Sequence, residues 1–275
     1  MTLTERLGYG PDARLLIVNA DELGFCHAAN VGVYESLRAG GASSASLMVP
    51  CPWGREAAAR YRGEDIGVHL TLNAEQELYR WGPITHAPSL LGGDAGFPAT
   101  VEDFWDHADL DETRRECRAQ VERAILWGFD VSHLDAHLTT LQLRPEFFDI
   151  YLELALDFQL PLRMVDDHLR GPLGFPADEL ARHEGAVFSD HLATLPAGAT
   201  LAMLDAAIGG VAPGVTELHF RPAVDSPELR ALTPDWAVRV GDHQLLCGSP
   251  NISELAERAG VTVIGFRALR DLVRS

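Results

Sequence analysis

Two adjacent carboxylates, those of Asp21 and Glu22, are the first residues of this sequence that could do chemistry. They end a segment that begins with the continuous apolar run Leu15–Val18, which is typical of a buried parallel strand, and Gly24 follows as a turn. In α/β folds, ligands bind beyond the carboxyl ends of such strands. Two neighbouring acids repel each other, so a divalent metal would stabilise them, with one as ligand and the other as base. The alternative is that Asp21 only caps a helix over residues 26–38.

Histidines follow three further strand-like segments. His69 lies near the end of one, and Asp135 and His137 lie at the exit of another. In the third, His219 and Arg221 share a face, since strand side chains alternate. A single histidine in such a place is usually a core or surface residue, but four strands that direct histidine or carboxylate to the same end indicate a site. Histidine and carboxylate ligands with an open position are typical of a catalytic hydrolytic metal.

The short segment 133–137 has a spacing of its own. His133, Asp135 and His137 lie two residues apart, so they share one face if the strand stays extended. The carboxylate of Asp135 could then orient a histidine that binds the metal.

The elements that must position these residues alternate between strands and helices. Strands are predicted over residues 15–22, 43–49, 65–72, 131–135, 160–165, 215–220 and 261–264. Helices are predicted over 26–38, 53–61, 200–208, 234–246, 249–258 and 266–273, with two more between Asp111 and Gly128 and from Pro145 onward. This alternation, without a break in composition, predicts one α/β domain over residues 1–275 with mostly parallel strands, and closure into a barrel is compatible with it.

Residues 73–109 interrupt the alternation. They are rich in prolines and turn residues, contain tryptophan and tyrosine side chains, and show no sustained period. A loop of that length inside a compact domain is usually functional, so we expect an insertion that forms a wall of the active site. The alternative is a surface excursion packed by its own aromatic side chains.

Charge and composition limit the function classes. The 275 residues are 47% hydrophobic and carry a formal net charge of −18. A chain this acidic would repel phosphates, so we expect no nucleic acid and no anionic membrane as partner, and a small substrate is more natural. Acidic residues that serve only solubility would also explain most of the charge.

Location follows from what the sequence lacks. It contains no run of 18 apolar residues and no basic stretch followed by an apolar core at its start, so we expect neither a membrane span nor a secretory signal. The four cysteines are far apart without CxxC spacing, which favours reduced thiols in a cytoplasm.

Four motifs together resemble the YdjC-like carbohydrate deacetylases, a family that includes chitooligosaccharide and hopanoid-associated deacetylases. The motifs are Asn19-Ala20-Asp21-Glu22, Ser43–Val49, Gly67–Leu72 and His133–His137, in that order. The resemblance runs from about Leu15 to Val165 and continues more weakly through Val215–Pro222 and the C-terminal helices.

The resemblance implies a distorted (β/α) TIM-like barrel, one divalent metal ion and removal of an N-acetyl group from an amino sugar. By that likeness Asp21 matches the catalytic base, Glu22 a metal carboxylate, and His69 and His137 the metal histidines. The mixed nitrogen and oxygen ligands suit zinc, and also magnesium, manganese or cobalt. The likeness also implies a small carbohydrate substrate and a homodimer.

The residues fit that chemistry on physical grounds. A metal polarises the amide carbonyl and makes its water more acidic, and Asp21 would accept the proton of that water. A second group must protonate the departing amine, and His219 is our candidate, with Arg221 beside it for charge or sugar contacts.

Three positions depart from the family pattern. Glu22 stands where the family usually has aspartate, so it could exchange roles with Asp21. Thr139 and Arg221 stand where the family often has histidine. These departures keep open a non-catalytic sugar-binding barrel. Another metal-dependent amidohydrolase is a further alternative, although such enzymes typically have His-Xaa-His on the first strand, which this strand lacks.

Overall fold

The computed structural model describes residues 1–170 and 173–275. The strands are β1 Arg14–Leu23, β2 Ser44–Leu47, β3 Ile66–Leu70, β4 Val131–Ala136, β5 His191–Ala193, β6 Gly214–Phe220 and β7 Thr262–Val263. The helices are α1 Leu3–Arg6, α2 His27–Arg38, α3 Gly54–Arg60, α4 Val101–His107, α5 Leu110–Leu126, α6 Pro145–Phe158, α7 Asp167–Arg170, α8 Ala177–His183, α9 Leu201–Gly209, α10 Pro227–Leu232, α11 Trp236–Cys247, α12 Ile252–Ala259 and α13 Phe266–Val273. Short 3₁₀ helices span Pro88–Leu90 and His137–Thr139. Within the described ranges, no helix is both long enough and apolar enough to cross a membrane.

The strands form one curled parallel sheet in the order β4-β3-β2-β1-β6-β5, with β7 paired to the start of β1. Single bridges join Leu162 to Leu134 of β4 on one side and to Phe188, just before β5, on the other. The two ends of the sheet are thereby connected through Leu162. The predicted α/β class and the distorted (β/α) barrel are confirmed.

β1 is the central strand, and its residues from Leu15 to Leu23 are all buried, as the apolar run predicts. The following helix α2 begins at His27, and Cys26 caps it by accepting the backbone N–H of Ala29 at its Sγ. Asp21 lies within β1, five residues before that cap. The interpretation of Asp21 as a helix cap is therefore wrong.

Two predicted elements differ from the structure. The strand expected over residues 160–165 is reduced to single bridges at Leu162. Leu162 is the residue of this segment that forms β-bridges with the neighbouring strands. The segment 73–109 contains a 3₁₀ helix and α4, and its side chains Trp81, Leu90, Phe97 and Phe104 are buried in the main core. They pack with the barrel, so the segment is not a surface excursion held only by its own aromatics.

A glycine in α2 allows this helix to lie directly against the chain that follows β6. A Cβ atom at Gly32 would lie 2.6 Å from the Cα of Ala223, whereas one at Gly241 in α11 would meet nothing within 4 Å.

We expect Gly32→Ala to lower the free energy of unfolding by about 1–3 kcal/mol, because backbone would have to move. Gly241→Ala should raise it by about 0.5–1 kcal/mol through helix propensity. Urea unfolding of both variants checks this, and equal effects would contradict the close approach.

Candidate metal centre and active site

Seven of the residues singled out in the sequence line one cavity of about 330 Å³. They are Asp21, Glu22, His69, Asp135, His137, His219 and Arg221. The cavity lies at the carboxyl ends of β1, β3, β4 and β6, where ligands bind in barrels of this kind. The structure shows that these side chains lie together, and the chemical role of each one stays a prediction.

Asp21 and Glu22 both reach the cavity because β1 bulges at its end. The pairing of β1 with β2 loses its register between Ala20 and Leu23. Glu22 has a φ of 66°, in the left-handed region, which costs about 1–2 kcal/mol for a residue with a side chain. In a regular strand adjacent side chains point to opposite faces, so the bulge is what lets two neighbouring carboxylates share one cavity.

Glu22 is buried beside two arginines. Arg239, on α11 and only 1% exposed, donates a hydrogen bond to Oε2 of Glu22. The other oxygen, Oε1, lies 3.8 Å from a nitrogen of Arg221. Burial opposes ionisation, but the charges of Arg239 and Arg221 outweigh it and lower the pKa of Glu22 to about 2. Glu22 is therefore a carboxylate with Oε1 outside hydrogen-bond distance of that arginine.

Each of the two predicted metal histidines has a carboxylate on one ring nitrogen. Asp135 accepts a hydrogen bond from Nδ1 of His69 at 2.6 Å, and Glu75 accepts one from Nε2 of His137 at 2.9 Å. The remaining nitrogens, Nε2 of His69 and Nδ1 of His137, face each other at 3.2 Å. With both carboxylates accepting, two neutral rings leave one lone pair on each of these nitrogens. Both lone pairs are then available to one cation.

The distance between the two nitrogens fits a shared metal ion. With metal–nitrogen bonds of about 2.0–2.1 Å, two ligands in a tetrahedral or octahedral site lie about 2.8–3.4 Å apart. Carboxylates on the far nitrogens are also the usual partners of metal-binding histidines. The sequence predicted that Asp135 would orient a histidine, and the structure places it on His69.

Among the described residues, the group of three possible metal donors whose atoms lie within 4.8 Å of one another is Asp21, His69 and Asp135. Arg163 already occupies the space between these two carboxylates. Its guanidinium donates to Oδ1 and Oδ2 of Asp21 at 2.7 and 2.8 Å and to Oδ2 of Asp135 at 2.5 Å. The facing nitrogens of His69 and His137 are not bonded to this guanidinium, so they are the better candidates for binding a metal, and the role of Glu22 as a ligand stays a prediction.

Arg163 holds Asp21 in its ionised form. Burial of Asp21 alone would raise the pKa of its carboxyl group, but Arg163 and His219 outweigh burial and hold that pKa well below its usual range. Nδ1 of His219 lies 3.2 Å from Oδ2 of Asp21. The site thus contains a fixed carboxylate beside a histidine, which is the arrangement that proton transfer requires.

The third partner of Arg163 is Glu217, which is fully buried on β6 and accepts from Nε at 2.7 Å. Burial outweighs the attraction of Arg163 and raises the pKa of Glu217 from 4.5 to about 7. As pH rises from about 4.5 to 7, the unfolded chain loses this proton while the folded chain keeps it, so folding becomes less stable.

We therefore expect Glu217→Gln to gain stability relative to the wild type over this pH range, on the order of 3 kcal/mol. Urea unfolding of both proteins between pH 5 and 8 checks this, since titrations common to both cancel in the difference. A difference that does not vary with pH would contradict the assignment.

The surroundings of three sequence-predicted residues, Arg221, His133 and His137, differ from one another. Arg221 is partly exposed and lies 3.1 Å from Asp235 as well as near Glu22. The ring of His133 stacks on Phe266 at 3.8 Å and is not among the residues that line the cavity. His137 begins the 3₁₀ helix after β4, so the extended face expected for residues 133–137 ends before His137.

Sequence reasoning missed four residues that hold the site together: Glu75, Arg163, Glu217 and Arg239. A signal for Arg163 was present, because a charged residue inside the apolar stretch 160–165 needs a partner. Glu217 shares a strand face with His219, which could also have identified it. Glu75 lies in an irregular segment and Arg239 in an ordinary helix, so neither carried a local signal.

Comparison with known proteins gives concordant results. The family model described as YdjC-like protein matches residues 15–258. The chain is 36% identical over 280 residues to a protein of Thermus thermophilus named "Carbohydrate deacetylase", covering 98% of this chain and 99% of the relative. A Geobacillus stearothermophilus protein of the same name is 28% identical, covering 92% and 97%.

A solved structure shows the same fold. A crystal structure of a protein from Enterococcus faecalis V583 superposes with a TM-score of 0.83 at 23% identity, over 94% of this chain and 99% of that one. The family model covers most of the chain, and the Thermus relative aligns with nearly all of it. The chain belongs to the YdjC-like protein family.

Proposed function

We propose that this protein is a metal-dependent hydrolase that removes the N-acetyl group from an amino sugar or a related carbohydrate. The observation that carries the proposal is the pair His69 and His137, whose free ring nitrogens meet at 3.2 Å while carboxylates hold the opposite nitrogens. The names of the Thermus and Geobacillus relatives support the substrate class.

The proposed metal ligands are His69, His137 and Glu22, and a bound ion would polarise the amide carbonyl and make water more acidic. Zinc and magnesium are both candidates. Asp21, ionised and fixed by Arg163, accepts the proton of the attacking water. His219 in its protonated form donates to the departing amine.

The non-catalytic sugar-binding barrel is less well supported. Thr139, one of the departures from the family pattern, donates its hydroxyl to the carbonyl of Leu138. A cleft that only binds sugar needs neither the buried carboxylate of Asp21 beside His219 nor two histidines oriented by carboxylates. The presence of both features favours an enzyme. The homodimer and the cytoplasmic location stay predictions.

Glu75 should affect metal binding through His137. We expect Glu75→Gln to weaken metal binding by about 10- to 100-fold, because the charge that makes His137 a better ligand is lost. Titration calorimetry with zinc measures this. Glu77→Gln, an exposed glutamate in the same segment, is the matched control and should bind as the wild type does. Equal affinities for both variants would contradict the role of Glu75.

The proposal as a whole is tested by acetate release from a panel of N-acetylated mono- and oligosaccharides. The protein is stripped with a chelator and assayed again after zinc, magnesium, manganese or cobalt is added. We expect metal to restore acetate release in the wild type and not in His137→Ala. Metal binding without release from any member of the panel would favour the sugar-binding barrel, and absence of metal binding would overturn the proposal.

A further inference from the structure

Two polar residues that the sequence did not single out lie beside His219 on the wall of the cavity. Thr194 follows β5 directly, and Asp166 follows the segment that carries Leu162 and Arg163. The hydroxyl of Thr194 donates to Oδ2 of Asp166 at 2.8 Å, and the same Oγ1 lies 3.1 Å from Nε2 of His219. These contacts make a continuous chain from Asp166 to His219.

The direction of the protons in this chain follows from the groups present. A threonine hydroxyl has one proton, and here it goes to the carboxylate of Asp166. Oγ1 of Thr194 can then only accept from His219, so Nε2 of His219 carries a proton. Its Nδ1 faces Oδ2 of Asp21 at 3.2 Å. A carboxylate cannot donate, so a hydrogen bond on that side requires a proton on Nδ1 as well.

Asp166 is itself held in place. Its Oδ1 lies 2.6 Å from Nδ1 of His168 and its Oδ2 accepts from Thr194. Burial opposes its ionisation, but these hydrogen bonds outweigh burial and lower the pKa of Asp166. Asp166 is therefore an ionised acceptor that fixes the rotation of the Thr194 hydroxyl.

We propose that Thr194 and Asp166 are positioning residues that orient His219 as the acid of the reaction. They hold a proton on Nε2 and leave Nδ1 to share a proton with Asp21, the group that receives one from the attacking water. His219, protonated on both nitrogens, can thus give the proton of Nδ1 to the nitrogen of the departing amine, and the proton that Asp21 accepted from water then replaces it on Nδ1, with no net gain or loss. This inference rests on the proposed function for its chemistry, but not for its geometry.

The geometry can be tested without any substrate. Two-dimensional ¹⁵N–¹H correlation spectra distinguish protonated from unprotonated ring nitrogens, and a His219→Gln spectrum identifies the signals of His219. In metal-free wild-type protein we expect Nε2 of His219 to be protonated, and in Thr194→Val we expect its ring nitrogen shifts to change. Thr194→Ser, which keeps the hydroxyl, should restore the wild-type signals. Identical His219 signals in wild type and Thr194→Val would overturn the inference.

Kinetics supply the second test, with the N-acetylated sugar of the panel that releases acetate fastest. We expect Thr194→Val to lower kcat by about 10- to 100-fold with KM little changed, and Thr194→Ser to recover most of the loss. Thr262→Val, an exposed threonine on β7 at the opposite end of β1, is the matched control. A fall in kcat shared by the serine variant would indicate a merely structural effect and overturn the assignment.

Absence of acetate release in the wild type would count against the proposed function, while the spectra would still decide the geometry.

Discussion

Replacing Arg163 with methionine is expected to lower the free energy of unfolding by about 3–5 kcal/mol, the cost of removing one partner from a buried ion pair. Arg163 is almost completely buried and donates to Asp21, Asp135 and Glu217. Without its charge, these three buried carboxyl groups would lose the guanidinium that they share. Denaturant unfolding at neutral pH measures the loss.

A surface arginine with similar bonding is the control for this prediction. Arg230 makes two hydrogen bonds to Asp225, at 2.8 and 2.6 Å, but both side chains are about half exposed. Solvent screens such pairs, so Arg230→Met should cost far less stability than Arg163→Met. If Arg163→Met costs no more than Arg230→Met, Arg163 does not have the central role in the barrel that we assign to it.

Asp21→Asn should reduce the rate of acetate release by about 10²–10⁴-fold, which is the usual contribution of a general base. An asparagine keeps the size of the side chain but cannot accept the proton of the attacking water. Because both oxygens of Asp21 accept hydrogen bonds from Arg163, we expect zinc affinity to stay close to that of the wild type. Steady-state kinetics and zinc titration of the same preparation measure both quantities.

Glu22→Gln is the complementary variant. Glu22 is the proposed carboxylate ligand, so zinc affinity should fall in this variant and the loss of activity should be partly recovered at high zinc concentration. If instead Asp21→Asn loses zinc and Glu22→Gln keeps it, the two acids have exchanged roles. The adjacent positions and the bulge at Glu22 make this comparison decisive for the assignment.

The parts of the fold that local sequence dictates were predictable. The apolar run before Asp21 gave a buried strand, and Pro145 opened α6 as expected. Such features depend on residues near each other in the chain. The short β5 and the reduction of residues 160–165 to a single bridge depend on how the barrel closes, which no local period encodes.

The same distinction applies to the site. The residues that follow strands, such as His69 and His219, were identified because strand ends meet at one edge of a parallel sheet. Glu75 bonds to His137 from a loop, and Arg239 bonds to Glu22 from a helix far along the chain. Their partners are visible only once the chain is folded. Even the bulge that turns Glu22 toward the cavity follows from pairing between β1 and β2 rather than from a motif.

The central claim, a metal ion between His69 and His137, is tested most directly by the proton NMR spectrum of the cobalt-substituted protein. Nδ1–H of His69 and Nε2–H of His137, held by Asp135 and Glu75, stay protonated when the opposite nitrogens bind the ion. We predict two strongly shifted, solvent-exchangeable signals from these two protons, of which His69→Ala and His137→Ala each remove one. A cobalt-bound protein without such signals, or with signals that survive both substitutions, would contradict the metal centre described here.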